Sequence, residues 1–424
     1  MNSLANPLFC ASFCARKRNI FYSAFFSPYP PEILQQIRPP PTGKNAYFPE
    51  TQIKESMMRY RSPEIRIHRI LHFTFYILHF LLLACSCEKS GTEPPPPPPP
   101  NKPDTTSHNF TWTTYSFGDG NASILKDVCI INENDIWAVG EIHVLDSSGQ
   151  YNPHNAVHWD GQKWELKKIP VKIFNTNSFI ISTLQSVFAF APNDVWTTDG
   201  GEVIRFNGQS WSEWKFLFDD LNDTTFGGIR QFWGSSNTDL WGVGKKGNIF
   251  YYDGINWQRI ESGTHTNIND IWGVLDRATG QTTILAVVSD RYYVGEYRLL
   301  SIALNGIADT LNWTLSRRLH STWFDINSPV FVSGSGLRVW KVHQWEEILI
   351  PNYFSTRVRG SALNNIFVVG AFGLCVHYNG SSWQTYEDLM MATGSFEGLA
   401  VSDNLMVTVG YVDNHDVLVM GRRN

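Results

Sequence analysis

The distribution of tryptophan is the feature that most constrains this chain of 424 residues. All 16 tryptophans follow residue 111, and several of them end a recurring phrase in which an Asp-Gly or Asn-Gly pair is followed by two residues and a Trp. The phrase begins at Asp160, Asn207, Asp253 and Asn379. We assign the same place in the repeat to Trp112, Trp164, Trp211, Trp257, Trp313, Trp345 and Trp383. A phrase that returns in this way indicates one structural unit used many times.

A second phrase precedes the first within each unit, as in Asn134-Asp135-Ile136-Trp137. Its marker residues are Trp137, Trp196, Trp241, Leu285, Phe331, Phe367 and Met406. The intervals between them run from 36 to 59 residues, around the length of one four-stranded propeller blade. The sequence therefore predicts an all-β fold, a seven-bladed β-propeller of four-stranded antiparallel blades.

Each unit divides into four short apolar strands separated by polar or glycine-rich turns. The Asp-Gly and Asn-Gly pairs supply the positive φ that a tight turn between the third and fourth strands requires. An Asp or Asn before the second strand suits a turn in which the side chain bonds its own backbone. We therefore attribute the repeated carboxylates to turn formation and assign no catalytic residue.

The last unit has three strands, over residues 395–401, 405–410 and 416–420, and then the chain ends. At the other end of the repeat region, residues 109–115 form a strand that carries Trp112 and has no unit of its own. Pairing this N-terminal strand with the last unit would close the ring and remove an exposed sheet edge. The propeller is therefore expected to span residues 109–424.

The residues before the repeats have the layout of an export signal. Arginines in residues 58–69 precede an apolar stretch over 70–84 and then Cys85, which is typical of a secretory signal peptide over 58–84. The end of this stretch, Leu82-Leu83-Ala84-Cys85, resembles the lipobox of bacterial lipoproteins. That resemblance implies cleavage before Cys85, lipid attachment to it, and a cell-envelope location on a bacterial membrane. Ser86 is compatible with the outer membrane.

Residues 85–108 are expected to be a polar spacer, because seven consecutive prolines over 94–100 form a stiff polyproline segment. Residues 1–57 do not fit this scheme, since a signal peptide belongs at the N-terminus. Two interpretations stay open: translation starts at Met57 or Met58, or the upstream segment has a role of its own.

Charge and cysteine usage narrow the class of partner. Residues 1–84 carry a balance of +6 and the remainder −11, so the propeller lacks the basic surface that nucleic-acid binding requires. Cys129 and Cys375 are expected to be buried free thiols on strands of separate blades. We find no metal or cofactor motif, and we expect His158 and His377, at matching repeat positions, to be structural.

The two repeat phrases resemble those of secreted bacterial β-propellers, including relatives of the sialidase (Asp-box) superfamily and photosystem II assembly-factor-like propellers. The resemblance covers residues 109–424 and implies the blade architecture. A sialidase would also need three arginines that grip a carboxylate and a Tyr/Glu pair for the chemistry. The sequence offers Arg205, Arg230, Arg291, Arg317, Arg338 and Arg359 without assigning them.

Loops at one end of a propeller channel are the expected site of recognition, because the blades hold them in place while their sequences vary. The repeated tryptophans are expected to be wedges between sheets. Our candidate binding residues lie in connections between strands: Tyr151, Asp219, Asp220, Arg317, Arg318, His320 and Tyr353.

Three functional hypotheses follow. The first is a membrane-anchored lipoprotein whose propeller binds a protein or glycan partner without catalysis. The second is a glycoside hydrolase or lyase with its site at the channel mouth, and the third is a structural component of the envelope.

Overall fold

A computed structural model describes residues 104–120, 122–218, 227–290, 295–303, 308–311, 313 and 317–424. The signal sequence, Cys85, the proline run, Asp219 and Asp220 lie outside these residues. No helix within the described ranges is long and apolar enough to cross a membrane.

Seven four-stranded antiparallel sheets, the blades, follow one another along the chain, and each is named here by its order. The strands of blades one to four, from the channel outwards, are: Ile124–Asn132 (β2), Asp135–Leu145 (β3), Tyr151–Trp159 (β4) and Trp164–Lys167 (β5); Ser186–Ala191 (β8), Asp194–Thr198 (β9), Glu202–Phe206 (β10) and Trp211–Phe216 (β11); Ile229–Ser236 (β12), Asp239–Gly244 (β13), Ile249–Tyr252 (β14) and Trp257–Ile260 (β15); Ile268–Asp276 (β16), Gln281–Ser289 (β17), Tyr297–Ile302 (β18) and Ala308–Leu311 (β19).

The strands of blades five to seven are: Leu319–Trp323 (β20), Val330–Gly334 (β21), Gly336–Lys341 (β22) and Gln344–Ile348 (β23); Ser355–Ala362 (β24), Asn365–Gly370 (β25), Cys375–Tyr378 (β26) and Trp383–Thr385 (β27); Ser395–Val401 (β28), Leu405–Val412 (β29), His415–Arg423 (β30) and Phe110–Tyr115 (β1). Short 3-10 turns cover Lys245–Gly247 and Glu387–Leu389. A separate hairpin, Val171–Lys172 (β6) with Phe179–Ile180 (β7), lies between blades one and two and was not predicted.

The order of the last sheet, β1-β30-β29-β28, confirms that the N-terminal strand completes blade seven. Trp112 stands opposite Gly421 in this pairing. A Cβ atom on Gly421 would lie 2.2 Å from the Trp112 ring, so only glycine leaves room for the indole. The residues just before β1 also contact blade six, because the Tyr386 hydroxyl donates a hydrogen bond to the His108 carbonyl at 2.8 Å.

The outer-strand tryptophans share one register. Trp164 stands opposite Trp159 at the start of β5. The equivalent pairs are Trp211 with Phe206, Trp257 with Tyr252, Trp345 with Trp340, Trp383 with Tyr378 and Trp112 with Gly421. The prediction was wrong for Trp313, since Ala308 fills that place opposite Ile302. Among the described residues the outer strand of blade four covers Ala308–Leu311, and the Trp313 ring packs edge-on against Trp345 of blade five at 4.7 Å.

Successive residues of the second strand pack toward opposite neighbours of a blade, because they point to opposite faces of the sheet. Trp137 packs toward blade two, whereas Ile136 packs toward blade seven. In blade seven Val407, not Met406, is paired as Trp137 is, so the predicted marker was one residue out of register.

Both cysteines of the described region are free thiols, as predicted. Cys375 is buried, whereas Cys129 is only half-buried, which corrects the expectation that both are buried.

Candidate functional site

The innermost strands, which surround the channel, contain a repeated irregularity. Six of them have a β-bulge one residue before a polar or small residue that points inward. These inward residues, together with Ser186 of blade two, are Asp127, Ser186, Gln231, Asp270, Ser321, Arg357 and Gly398. A bulge re-aims the side chain that follows it, and here it gathers one residue from each blade.

Asp127 joins blades one, two and three. Its carboxylate accepts hydrogen bonds from the Ser186 hydroxyl at 2.6 Å, the Val187 amide at 3.1 Å and the Gln231 side-chain amide at 3.2 Å. Burial raises the pKa of this carboxyl, and the Arg357 charge opposes that rise. The Arg357 guanidinium bonds Gln231 at 2.5 Å, which continues the chain of polar contacts to blade six.

Asp270 is the second node of this network. Arg359 donates to its two carboxylate oxygens at 2.7 and 2.9 Å, and Arg357 lies 3.5 Å away. Burial opposes ionisation of Asp270, but the two guanidiniums outweigh it and the pKa lies below its usual value. The Ser321 hydroxyl and the Thr322 amide donate to the same carboxylate. Two like-charged guanidiniums are thereby held inside the ring by one carboxylate.

This network bears on the hydrolase hypothesis. Arg357 and Arg359 come from one strand, β24, and both guanidiniums point to Asp270. A carboxylate-gripping site needs arginines whose charge is directed at the ligand. The geometry of these two arginines therefore stabilises the ring. Asp127 and Asp270 were missed by the sequence reading, although a polar pair between apolar residues, such as Lys126-Asp127 or Asn269-Asp270, begins several inner strands.

A planar side chain on the third strand packs over the second-strand marker in four blades. His158 stacks on Trp137 at 4.2 Å and Tyr251 lies 4.5 Å from Trp241. Arg205 lies over Trp196 and His377 stacks on Phe367. His158 is also held by Asp135 at 2.8 Å, and His377 contacts Asn365 at 3.1 Å. Burial lowers the pKa of His377 to about 3, so this neutral ring is structural, as is His158.

The candidate residues that the structure describes lie on the face that carries the connections from each outer strand to the next blade and from second to third strands. We call it the loop face. Here the Arg318 carbonyl accepts the Ser335 amide at 2.9 Å, and Ser335 forms a bridge with Phe354. His320 donates to the Thr356 carbonyl at 2.7 Å, and its ring packs edge-on against Phe354 at 5.5 Å.

Tyr353 and Phe372 add an exposed aromatic pair to these residues, with ring centroids 5.5 Å apart. Tyr353 is 38% exposed and Phe372 is 44% exposed. Phe372 has a φ of 58°, a left-handed conformation that costs a bulky residue about 1–2 kcal/mol. Lys246 has a φ of 56° at the matching turn of blade three, so the conformation belongs to the turn, and the exposed aromatic side chain is what distinguishes blade six. We name the set Arg317, Arg318, His320, Tyr353, Phe354 and Phe372 the mouth cluster.

The structure therefore brings together four predicted residues, Arg317, Arg318, His320 and Tyr353, on blades five and six. Tyr151 lies apart on blade one, where it is 45% exposed at the start of β4. The residues around it form an extended hairpin of β3 and β4, with Tyr151 paired to Leu145. Phe372 was missed, because its sequence context, Ala371-Phe372-Gly373, gives no signal for a non-glycine residue with positive φ.

Histidine, cysteine and carboxylate side chains do not form groups of three or more that could hold a metal ion in the part of the chain that the structure describes. The two free thiols lie on strands, Cys129 on β2 and Cys375 on β26.

The closed ring of seven blades places this chain in the class of seven-bladed β-propellers. No known protein family and no curated protein matches its sequence. Among solved structures it is similar to "YCF48 bound to D1 peptide", at 16% identity and a TM-score of 0.53, over 76% of this chain and all of that one. YCF48 from Cyanidioschyzon merolae matches at 13% identity and a TM-score of 0.49, over 72% and 98% of the two chains. The Pan2 WD40 domain of Neurospora crassa matches at 10% identity and 0.49, over 76% and 98%.

Proposed function

We propose that this chain is a membrane-anchored bacterial lipoprotein whose propeller binds a protein partner through the mouth cluster, without catalysis. The observation that carries the proposal is the pairing of two exposed aromatic rings, one on a strained backbone, on the same face as Arg317 and Arg318. Aromatic residues and arginine are enriched at protein interfaces. The channel guanidiniums, by contrast, are engaged with Asp270.

The comparison with solved structures supports the same choice. YCF48, a propeller of similar fold, has been solved with a D1 peptide bound, so a propeller of this shape accommodates a polypeptide ligand. Arg317, which is exposed, and Arg318, which is half-buried, favour a partner segment with acidic and apolar residues. A glycan is the alternative ligand, because aromatic faces also stack on sugars.

The Phe372→Gly variant separates recognition from stability. Glycine adopts the left-handed conformation freely, so the variant is expected to melt within a few degrees of the parent chain. Removing an exposed interface aromatic is expected to lower partner recovery about tenfold or more. The measurement is quantitative mass spectrometry of proteins that co-purify with the full-length, tagged chain from host membranes.

The matched control is Ile255→Ser, which removes an apolar side chain that is 83% exposed on blade three. This control is expected to retain the partner. Equal recovery with both variants would overturn the assignment to the mouth cluster. Co-purification of glycan in place of protein, or turnover of a substrate by the purified chain, would overturn the proposed function.

The anchor has its own test, because lipidation fixes the start of the mature protein. The mature chain is expected to begin at a diacylated Cys85 and to remain with membranes, whereas Cys85→Ser is expected to lose the lipid and leave the membrane fraction. Intact-mass analysis of both forms is the measurement. A mature form that begins at neither a modified Cys85 nor a modified Cys87 would exclude the lipoprotein hypothesis.

A further inference from the structure

A groove lies between blades five and six, where blade five has a small apolar residue in place of a planar side chain found in four other blades. At the third-strand position that packs over the marker, four blades carry His158, Arg205, Tyr251 and His377. Blade five carries Val339 there, opposite its marker Phe331. In blade one, Asp135 forms a hydrogen bond with His158. The equivalent position of blade five, two residues before its marker, is Pro329. Blade five therefore lacks both the planar side chain that stacks on the marker and the carboxylate that bonds this side chain. Apolar residues stand at both positions.

The space that results is a groove of about 610 Å³ whose floor is Phe331 and Val339. Its far wall is blade six, where Tyr378 and Trp383 stack at 4.8 Å. Trp383 also faces Phe331 across the groove, with ring centroids 6.4 Å apart. Blade four carries Ser301 at the same position and has a smaller groove of about 370 Å³. Blades four and five therefore both have a groove at the position where the planar side chain is absent.

The rest of the ring shows what chemistry fits the space. In other blades a flat ring or guanidinium lies over the marker, with centroid separations of 4.2 to 4.8 Å. In blade five the aromatic marker is retained and its cover is absent. An aromatic side chain from outside would restore the same stacked pair, since offset and edge-to-face ring contacts are favourable beyond their buried area.

The rim of the groove selects the charge of the occupant. Three acidic residues and one basic residue line the groove: Asp104, Glu346, Glu347 and Lys341. Glu346 pairs with Lys341 at 2.6 Å, and Glu347 lies 3.2 Å from Arg338. Glu347 is more than half exposed in that pair, so its carboxylate has room for a second cation, and Asp104 adds another negative charge. A basic residue beside the aromatic one is therefore favoured.

The rim also accommodates extended backbone. The segment that begins at Asp104 runs along the turns of blade six, where the Thr106 amide donates to the Asn379 carbonyl at 3.1 Å and the Asn379 side chain donates back. At the opposite edge, Val342 follows Lys341 with a φ of 50° and 88% exposure. A β-branched residue is an outlier in that conformation, and its apolar side chain is exposed next to Lys341, which lines the groove.

We infer that the groove between blades five and six binds an extended segment of a protein partner that carries an aromatic side chain beside a basic one. The segment inserts its ring over Phe331 and places its cation near Glu347. This inference rests on the proposed function, that of a protein-binding propeller, but it uses a different surface from the mouth cluster.

The test uses the full-length chain and three linear Gly-Ser peptides that contain a central Trp-Arg, Trp-Glu or Ala-Arg pair. Binding is measured by isothermal titration calorimetry. The Trp-Arg peptide is expected to bind at least about tenfold more tightly than either of the other two. Equal binding of the three peptides would overturn the inference.

Val339→Tyr refills the groove as Tyr251 does in blade three, and it is expected to lower the affinity for the Trp-Arg peptide about tenfold or more. Ser301→Tyr makes the same change in blade four and is expected to leave that affinity unchanged. Leu363→Lys is a second test on an exposed rim residue, expected to weaken binding without unfolding the ring. Loss with Ser301→Tyr, or full binding by Val339→Tyr and Leu363→Lys, would refute the site.

The two proposals fail separately. Phe372→Gly leaves the groove intact and is expected to bind the Trp-Arg peptide as the parent does. If Phe372→Gly loses the membrane partner while the three peptides bind the parent chain equally, the mouth cluster stands without the groove. If peptide binding survives in Phe372→Gly and no membrane partner is found for any form, the groove stands without the mouth cluster.

Discussion

Removal of residues 105–117 is expected to lower the melting temperature of the propeller by about 10 °C or more. The deletion takes away β1 and with it the six-residue pairing with β30. It also exposes the apolar surface that Phe110 and Trp112 cover beside Tyr386. Burying one large aromatic side chain contributes about 2–3 kcal/mol, and a domain of this size shifts by about 2 °C per kcal/mol. The lost strand pairing adds to this sum.

Two comparisons make the deletion informative. Trp112→Ala removes only the indole that lies over Gly421, so it is expected to cost less than the whole strand and about as much as Trp164→Ala at the same register position. A synthetic peptide of residues 105–117, added in trans, is expected to restore the melting temperature in a concentration-dependent way, because it can pair with the open edge of β30. Unchanged melting after the deletion would refute closure by β1.

The fold was predictable because its signals are local. An Asp-Gly or Asn-Gly turn fixes the register of a hairpin, so the tryptophan after it falls at the same place in each outer strand, as Trp164 and Trp211 do. The N-terminal strand followed from counting, since blade seven lacked a fourth strand. The prediction failed at Trp313, where the tryptophan lies beyond the outer strand of its blade.

The candidate site was predictable only in part. Loops at a propeller mouth are natural binding positions, and Arg318, His320 and Tyr353 do converge. Phe372 was not found, because backbone strain at a non-glycine residue leaves no mark in the sequence. The groove was not predicted either. It depends on a small residue, Val339, at a position where other blades have His158 or Tyr251, and this difference is visible only when the blades are aligned in register.

The polar network in the channel could not be predicted from the sequence, because its residues meet only in the folded ring. Asp270 and Arg359 are 89 positions apart in the chain, and Asp127 and Gln231 are 104 apart. Each lies in a strand among apolar residues, where a polar residue would usually be assigned to the solvent side. Only closure of the ring places them opposite each other.

Asp270→Ala is expected to destabilise the propeller by about 3–5 kcal/mol, because removing one partner of a buried ion pair leaves uncompensated charge in the interior. Here two guanidiniums, those of Arg357 and Arg359, would lose their shared carboxylate. The Thr322 amide and the Ser321 hydroxyl would lose an acceptor as well. Thermal and denaturant unfolding of the purified chain measure the effect.

Glu165→Gln is the matched control, since Glu165 pairs with Lys163 and Lys167 at the surface of blade one. Exposed pairs of this kind contribute about 0–1 kcal/mol, so the control is expected to melt close to the parent. Similar destabilisation by the two variants would contradict the special position of Asp270.

The double variant Asp270→Ala with Arg359→Met separates charge from hydrogen bonding. If the loss arises from stranded charge, removal of the closer guanidinium is expected to return a large share of it, because apolar replacements of buried ion pairs are often neutral or stabilising. If the double variant stays as unstable as Asp270→Ala, the loss lies in the bonds from Ser321 and Thr322, which join blade five to blade four. The result therefore decides whether the Asp270 carboxylate stabilises the ring mainly by neutralising Arg359 or mainly by accepting hydrogen bonds from blade five.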